Sequence, residues 1–235
     1  MKRFKLWRIG WGLLFAALFL PVSCMTYSED FEDTNRRVVV NVNGMVTVKT
    51  LESGTVYFQL DEKTTLHPVS WSNVFGKEVR ALLDYTELSQ ESDLFTKEVK
   101  VNYIDSIWTK KAVSLMFRNQ DEILGDQPIE LIDDWMNVCE DGYMNVHYAY
   151  QCGDDLVKHE LNLGIHPDKP YDLYLWLDRK NDSGTSWKDD LVAFDITGFI
   201  PCEEGEVVSL TLHWNSNDGA KTLKFKCKPH RITKL

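Results

Sequence analysis

Past residue 37 the chain alternates short β-branched and aromatic runs with turn residues, and no stretch holds a long helical period. Val38-Val39-Val40-Asn41-Val42 leads through Asn43-Gly44 into Met45-Val46-Thr47-Val48. Asn-Gly predicts a tight hairpin there, because both residues tolerate positive φ. Residues 55–60 alternate around Tyr57 and Phe58 and turn at Asp61-Glu62-Lys63 into a second run, 64–69. Residues 79–85 and 97–103 read the same way, the latter through Val99, Val101 and Tyr103. Some five short strands over roughly 85 residues, with nothing helical between them, predict a small closed barrel.

Gly125-Asp126-Gln127-Pro128 interrupts the pattern, so the expected domains are 37–120 and 121–235. In the second, Tyr143, Asn145, His147 and Ala149 fall on one face of a strand and Met144, Val146, Tyr148 and Tyr150 on the other. The second face is the better core candidate. Residues 156–163, 171–177, 191–196, 207–214 and 222–227 supply further strands, with Asn217-Asp218-Gly219 closing the last hairpin. Evenly spaced short strands predict an antiparallel β-sandwich. The polar segment 178–190 reads as an exposed loop.

The first residues follow another pattern. Lys2, Arg3, Lys5 and Arg8 precede an apolar run over 9–20, and Ser23-Cys24 follows. This is the form of a signal peptide over 1–23, its apolar run short of the ~20 residues needed to span a bilayer. Ser23-Cys24, with Leu20 and Val22, resembles a lipobox, in which Cys24 receives a diacylglyceryl group and becomes the first mature residue. Pro21 departs from the leucine common at that place. Residues 24–36 hold four acids close together and predict a flexible acidic tether. Its Ser28-Glu29-Asp30 resembles the acidic export signal that carries Bacteroidetes lipoproteins to the cell surface.

Loss of the leader takes four basic residues and no acid from a chain of formal charge −10, leaving −14. Such a surface repels phosphate backbones, which argues against nucleic acid as a partner. Beyond Cys24, the cysteines are Cys139, Cys152, Cys202 and Cys227. In an oxidising compartment they stay as buried thiols or form two bridges, with 139–152 and 202–227 the preferred pairing.

Several stretches, taken in order, resemble the NigD-like lipoproteins of Bacteroidetes. In the first half they are Tyr57-Phe58-Gln59-Leu60-Asp61-Glu62-Lys63-Thr64-Thr65-Leu66 and Arg80-Ala81-Leu82-Leu83-Asp84-Tyr85. In the second they are Gly125-Asp126-Gln127-Pro128-Ile129, Trp135, Asp141-Gly142-Tyr143-Met144-Asn145-Val146, Lys158-His159-Glu160-Leu161-Asn162-Leu163 and Phe194-Asp195-Ile196. The resemblance implies an all-β chain, an N-terminal OB-like barrel followed by a C-terminal antiparallel β-sandwich, held at the outer membrane by a lipid. It implies no activity and no cofactor.

The familiar local signatures of catalysis, such as Gly-x-Ser-x-Gly, HExxH, GxGxxG and the P-loop, do not occur. A glycosidase needs only two carboxylates close in space, but Asp133-Asp134, Asp154-Asp155 and Asp189-Asp190 sit beside expected turns, where solvated charge is the norm. His147 and His159 would share a sheet face if strands 143–150 and 156–163 formed a hairpin; two imidazoles can begin a metal site, and a polar strand face is the alternative. Asp178, Asn181 and Asp182, with Asp189 and Asp190, offer oxygen ligands to calcium in the 178–190 loop, against the commoner solvated loop. Trp187 in that loop could stack on a sugar or a partner protein. Trp71, Trp108, Trp135, Trp176 and Trp214 are expected to pack in cores.

The resulting expectation is a non-enzymatic envelope lipoprotein, anchored through Cys24 to the outer membrane on its cell-surface or periplasmic face. Two β domains would act as a binding or structural module toward an envelope protein or polysaccharide. A surface glycan-binding protein is the alternative, and a carboxylate-dependent hydrolase the third.

Overall fold

The computed structural model describes residues 42–89, 92–115, 124–153, 157–203, 205–229 and 231–232. The expectations for the leader, Cys24, the tether and the valine run at 38–40 fall outside these residues. Five strands, β1 (Gly44–Thr50), β2 (Val56–Gln59), β3 (Thr65–Pro68), β4 (Val79–Glu87) and β5 (Lys97–Ser106), close into a barrel in the order β1-β2-β3-β5-β4. The β3–β5 pair is parallel and the others antiparallel. Because successive side chains point to opposite faces, Val46, Val48, Phe58, Leu66, Ala81, Leu83 and Val99 fill the barrel, with Trp71 edge-on to Phe58 at 5.1 Å. Asn43 and Gly44 do not take the positive φ expected of a tight turn. Gly44 pairs with Leu83 as the first residue of β1, and the Asn43 side chain reaches both Tyr85 O and Tyr85 N, extending the ladder in place of a turn.

Ten strands follow: β6 (Trp108–Lys111), β7 (Val113–Ser114), β8 (Glu130–Leu131), β9 (Cys139–Glu140), β10 (Tyr143–Cys152), β11 (Glu160–His166), β12 (Lys169–Asp178), β13 (Ser186–Asp195), β14 (Val208–Ser216) and β15 (Gly219–Cys227). They form two packed sheets, β6-β13-β10-β8 with β9 beside β10, and β15-β14-β12-β11-β7. Antiparallel pairs make up most of the pairing, joined by three parallel pairs, β11–β7, β12–β14 and β13–β6. Between the sheets lie Met144, Val146 and Tyr148 with Leu161, Leu163, Leu173, Leu175, Leu177, Val192, Phe194, Leu210 and Leu212. Tyr150 packs at their margin, so the face chosen from the alternation of β10 is the core face.

The changeover between domains comes earlier than residue 121. Only Ile107 separates β5 from β6, and β6 and β7 already belong to the sandwich sheets. The turn residues at 125–128 lie within the second domain. Gln127 bridges to Leu177, and Gly125, at φ 93°, sits so close to that strand that a Cβ would fall 2.2 Å from the Leu177 carbonyl oxygen. A glycine that permits close backbone approach looks in sequence like a linker glycine.

The disulfide also departs from expectation. Cys139 is bonded to Cys227, joining β9 of one sheet to β15 of the other, Cα to Cα 5.1 Å. Cys139 lies opposite Met144, while Cys152 stands eight residues further along β10, about 26 Å at the rise of a strand, so the 139–152 pair is out of reach. With Cys227 taken, 202–227 is excluded too; Cys152 is a buried thiol and the Cys202 thiol points to Ile200 O at 3.7 Å.

Candidate functional site

β1 and β4 are buried on both faces because their outward residues meet the sandwich. Met45 and Leu82 pack with Ile107, Met136, Tyr143, Leu191 and Ala193, an apolar core shared by the two domains. Polar residues surround it. Arg80, fully buried, donates from Nη1 to Thr47 Oγ1 (3.0 Å), from Nε to Asn145 Oδ1 (3.3 Å) and from Nη2 to Glu140 Oε1 (2.8 Å). Burial holds the Glu140 carboxyl above its ordinary range, and the Arg80 charge opposes that only in part. Lys49 Nζ donates to Asp141 Oδ1 (2.9 Å) and to the carbonyl of Ile232 (2.6 Å). The Arg231 guanidinium lies 3.6 Å from the Tyr143 ring centre and bonds Asp141 O, Glu78 and Asp195. Burial pushes the Tyr143 hydroxyl well above the usual tyrosine range. An apolar patch ringed by paired charges of this kind, with Asp141 Oδ2 alone among their atoms buried without a partner, fixes one relative placement of the two domains.

The outer face of β10 and β13 therefore has two halves. Tyr143, Asn145, Leu191 and Ala193 lie under the barrel; His147, Ala149 and Gln151, opposite Leu191, Asp189 and Trp187, extend beyond it. In the extended half the His147 ring stands between two carboxylates, Nδ1 2.6 Å from Asp134 Oδ2 and Nε2 3.1 Å from Asp189 Oδ2. Both contacts are satisfied together when both ring nitrogens carry hydrogen. Asp134 comes from the turn before β9, which is pinned to β10: Ile132 N donates to His147 O (3.0 Å) and His147 N to Asn137 Oδ1 (2.9 Å). Asp134 Oδ1 accepts from Met136 N at 2.9 Å, and Met136 enters the shared core. Trp135, between them, is 53% exposed, and Trp187, two residues from Asp189 on the same strand face, is 43% exposed.

Several expected sites are redistributed. β10 and β11 lie in opposite sheets, so His147 and His159 share no face. His159 instead gives Nε2 to Asp182 at 2.9 Å, both side chains almost wholly buried. Asp182 also accepts from Gly153 N and Gly184 N, each at 2.8 Å, and so staples the chain ends of two connections. Asp178 is held by Lys180, whose ammonium and backbone N–H keep its carboxyl below the ordinary range. The set Asp178, Asn181, Asp182 and Trp187 is thus not one site: Asp182 turns inward, Asn181 is exposed at φ 65°, and Trp187 belongs to β13, which starts at Ser186 and shortens the expected loop. Asp189 and Asp190 lie in that strand as well. Trp108 and Trp135, expected in cores, are exposed, whereas Trp71 and Trp214 pack against cores. Nothing in the local pattern marked the approach of Asp134 to His147, because it depends on a turn folding back onto β10.

On the second sheet Tyr174 stacks on His213 (4.7 Å, 14°) and on Trp176 (5.6 Å, 25°), with Asp172 Oδ1 2.8 Å from His213 Nε2. Tyr174 is thus stacked on both of its aromatic neighbours.

A closed five-stranded barrel locked onto a two-sheet sandwich defines a two-domain all-β protein of the OB-plus-sandwich class. The NigD-like N-terminal OB domain matches residues 45–107 and the NigD-like C-terminal beta sandwich domain residues 112–227, so the chain belongs to the NigD-like family. Among solved structures it is similar to a protein of Parabacteroides distasonis named as toxin-related, at 26% identity and TM-score 0.68, covering 79% of this chain and 92% of that one. A NigD-like immunity protein of Bacteroides caccae aligns at 14% identity and TM-score 0.55 over 81% of this chain and 98% of that chain. A Bacteroides fragilis protein named as a lipoprotein aligns at 13% and 0.56, over 80% and 97%. No curated protein matches the chain significantly.

Proposed function

We propose that the chain is an exported lipoprotein, tethered through Cys24 to the outer membrane and displayed at the cell surface, where its fused domains act as a non-enzymatic binding or structural module. The observation that carries the module reading is the lock around Arg80. Two folds of the recognition type, joined by an ion pair whose arginine is fully buried and by a shared apolar core, present their surfaces as one rigid body. The anchor reading is supported by the basic and apolar leader ending in Ser23-Cys24. Committed polar groups support a non-catalytic role: the best-placed imidazole, His147, has both nitrogens tied to carboxylates. A glycan-binding role is the second reading, favoured by the exposure of Trp135, in the turn pinned to β10, and of Trp187 on β13.

Metabolic labelling with a fatty-acid analogue tests the anchor. The wild-type chain is expected to incorporate label and fractionate with membranes, and Cys24→Ala to be unlabelled and soluble. An unlabelled wild type would end the lipoprotein reading. For surface display, external protease should reach the wild type in intact cells, and neutralising Glu29, Asp30, Glu32 and Asp33 should abolish that access; unchanged access would remove the export role of the tether.

A further inference from the structure

The structure leaves one face of the molecule with the composition of a ligand site. The turn carrying Trp135 is braced onto β10 by two hydrogen bonds to the His147 backbone, from Ile132 N and to Asn137 Oδ1, and residue 135 directly follows the Asp134 that meets the His147 ring. Trp187 is on the same side of the sheet, since residues two apart on a strand share a face and Asp189 holds His147 from there. An exposed tryptophan thus neighbours each carboxylate of the Asp134–His147–Asp189 bridge in the chain, Trp135 next to Asp134 and Trp187 two residues from Asp189. Both tryptophans are carried by braced elements, Trp135 by the turn pinned to β10 and Trp187 by β13.

From this arrangement we infer that the outer face around His147 binds a neutral oligosaccharide, with Trp135 and Trp187 stacking on pyranose rings and the Asp134 and Asp189 carboxylates accepting hydrogen bonds from sugar hydroxyls. This rests on the tethered-module reading for its setting and adds the ligand class. Charge selects the occupant. An anionic ligand meets two carboxylates on a mature chain of formal charge −14 (−10 with the leader's four basic residues removed), and is repelled. A strongly cationic segment would have to compete with the imidazole that already holds both carboxylates. A neutral polyhydroxyl ligand instead needs what remains: acceptor lone pairs held in fixed directions and apolar ring faces. The stacked rings at Tyr174, Trp176 and His213 make a poorer platform, because Tyr174 at their centre already stacks on both neighbours.

The test is affinity electrophoresis of the full mature chain, made soluble by Cys24→Ala, through gels containing a β-glucan, an α-mannan or a xylan. Retardation by at least one polysaccharide is expected. Trp135→Ala and Trp187→Ala should each weaken it about tenfold or more, as removal of an anchoring aromatic does. Trp108→Ala, an exposed tryptophan on β6 and outside this face, should leave it unchanged. Thermal unfolding of each variant separates lost binding from lost folding. Equal retardation of all three variants would overturn the assignment of the face. Retention of the wild type by none of the three would overturn the ligand class, as would capture of an envelope protein that depends on Trp135 and Trp187 while no polysaccharide binds. Binding is read in solution, so a failed anchor reading would show only in the labelling experiment.

Discussion

Arg80 of the barrel and Glu140 of the sandwich meet at 2.8 Å, the arginine side chain without solvent exposure. Removing the arginine leaves the partly exposed Glu140 without its partner and takes the donor from the buried Asn145 and Thr47. Arg80→Met should destabilise the protein by about 1.5–3 kcal/mol, the scale of lost hydrogen bonds to charged groups. Arg80→Met with Glu140→Gln should recover part of that loss. Urea unfolding followed by tryptophan fluorescence measures both; a single variant within about 1 kcal/mol of wild type would show that the domains do not depend on this contact.

The bond between Cys139 and Cys227 closes a loop of sequence separation 88 and ties the two sandwich sheets together. Cys139→Ser with Cys227→Ser should lower stability by about 2–4 kcal/mol. Peptide mapping of oxidised protein should recover the 139–227 linkage. A dominant 139–152 peptide would contradict the strand register that separates those residues.

Arg231 lies over the Tyr143 ring and binds Asp141, Glu78 and Asp195, so the C-terminal segment straps the barrel to the sandwich. Arg231→Ala should raise amide exchange along Tyr143–Cys152 and Val79–Glu87 and lower the unfolding free energy by about 1–3 kcal/mol, as expected for hydrogen bonds to charged groups. Unchanged protection in both strands would assign the lock to Arg80 and Lys49 alone.

Lys180 sits among Asp178 and Glu160, and its hydrogen bonds hold both carboxyl groups below their ordinary range. Near pH 4 the folded chain then binds fewer protons at these sites than the unfolded chain does. Their stabilising contribution is complete above the ordinary carboxylate range and is lost as pH falls through the lower, folded values. Lys180→Met should therefore flatten the fall in melting temperature between neutral and acid pH. An identical pH profile in the variant would remove this cluster from the acid response.

Strand alternation in Tyr143–Cys152 carries information about one neighbour only. Met144, Val146 and Tyr148 were legible as core because apolar residues at every second place must be hidden from water. The opposite face, Tyr143, Asn145 and His147, mixes polar and aromatic residues, which suits solvent as well as an interface, and here the barrel covers its first part. The same ambiguity concealed Arg80, whose burial is possible only because Thr47, Glu140 and Asn145 arrive from three other segments. Trp135 was placed wrongly for the converse reason: a large apolar residue is expected inside, and only the fold of its turn leaves it outside.

By itself the sequence determined the all-β class, the barrel and sandwich order, most strands and the core face of β10, since each follows from local period and turn chemistry. Tertiary structure decided the Cys139–Cys227 pair, the crossing that parts His147 from His159, the earlier changeover at Ile107 and the Asp134–His147–Asp189 bridge. These depend on which distant strands become neighbours, a choice set by the combined packing of two sheets and a barrel rather than by any one stretch of chain.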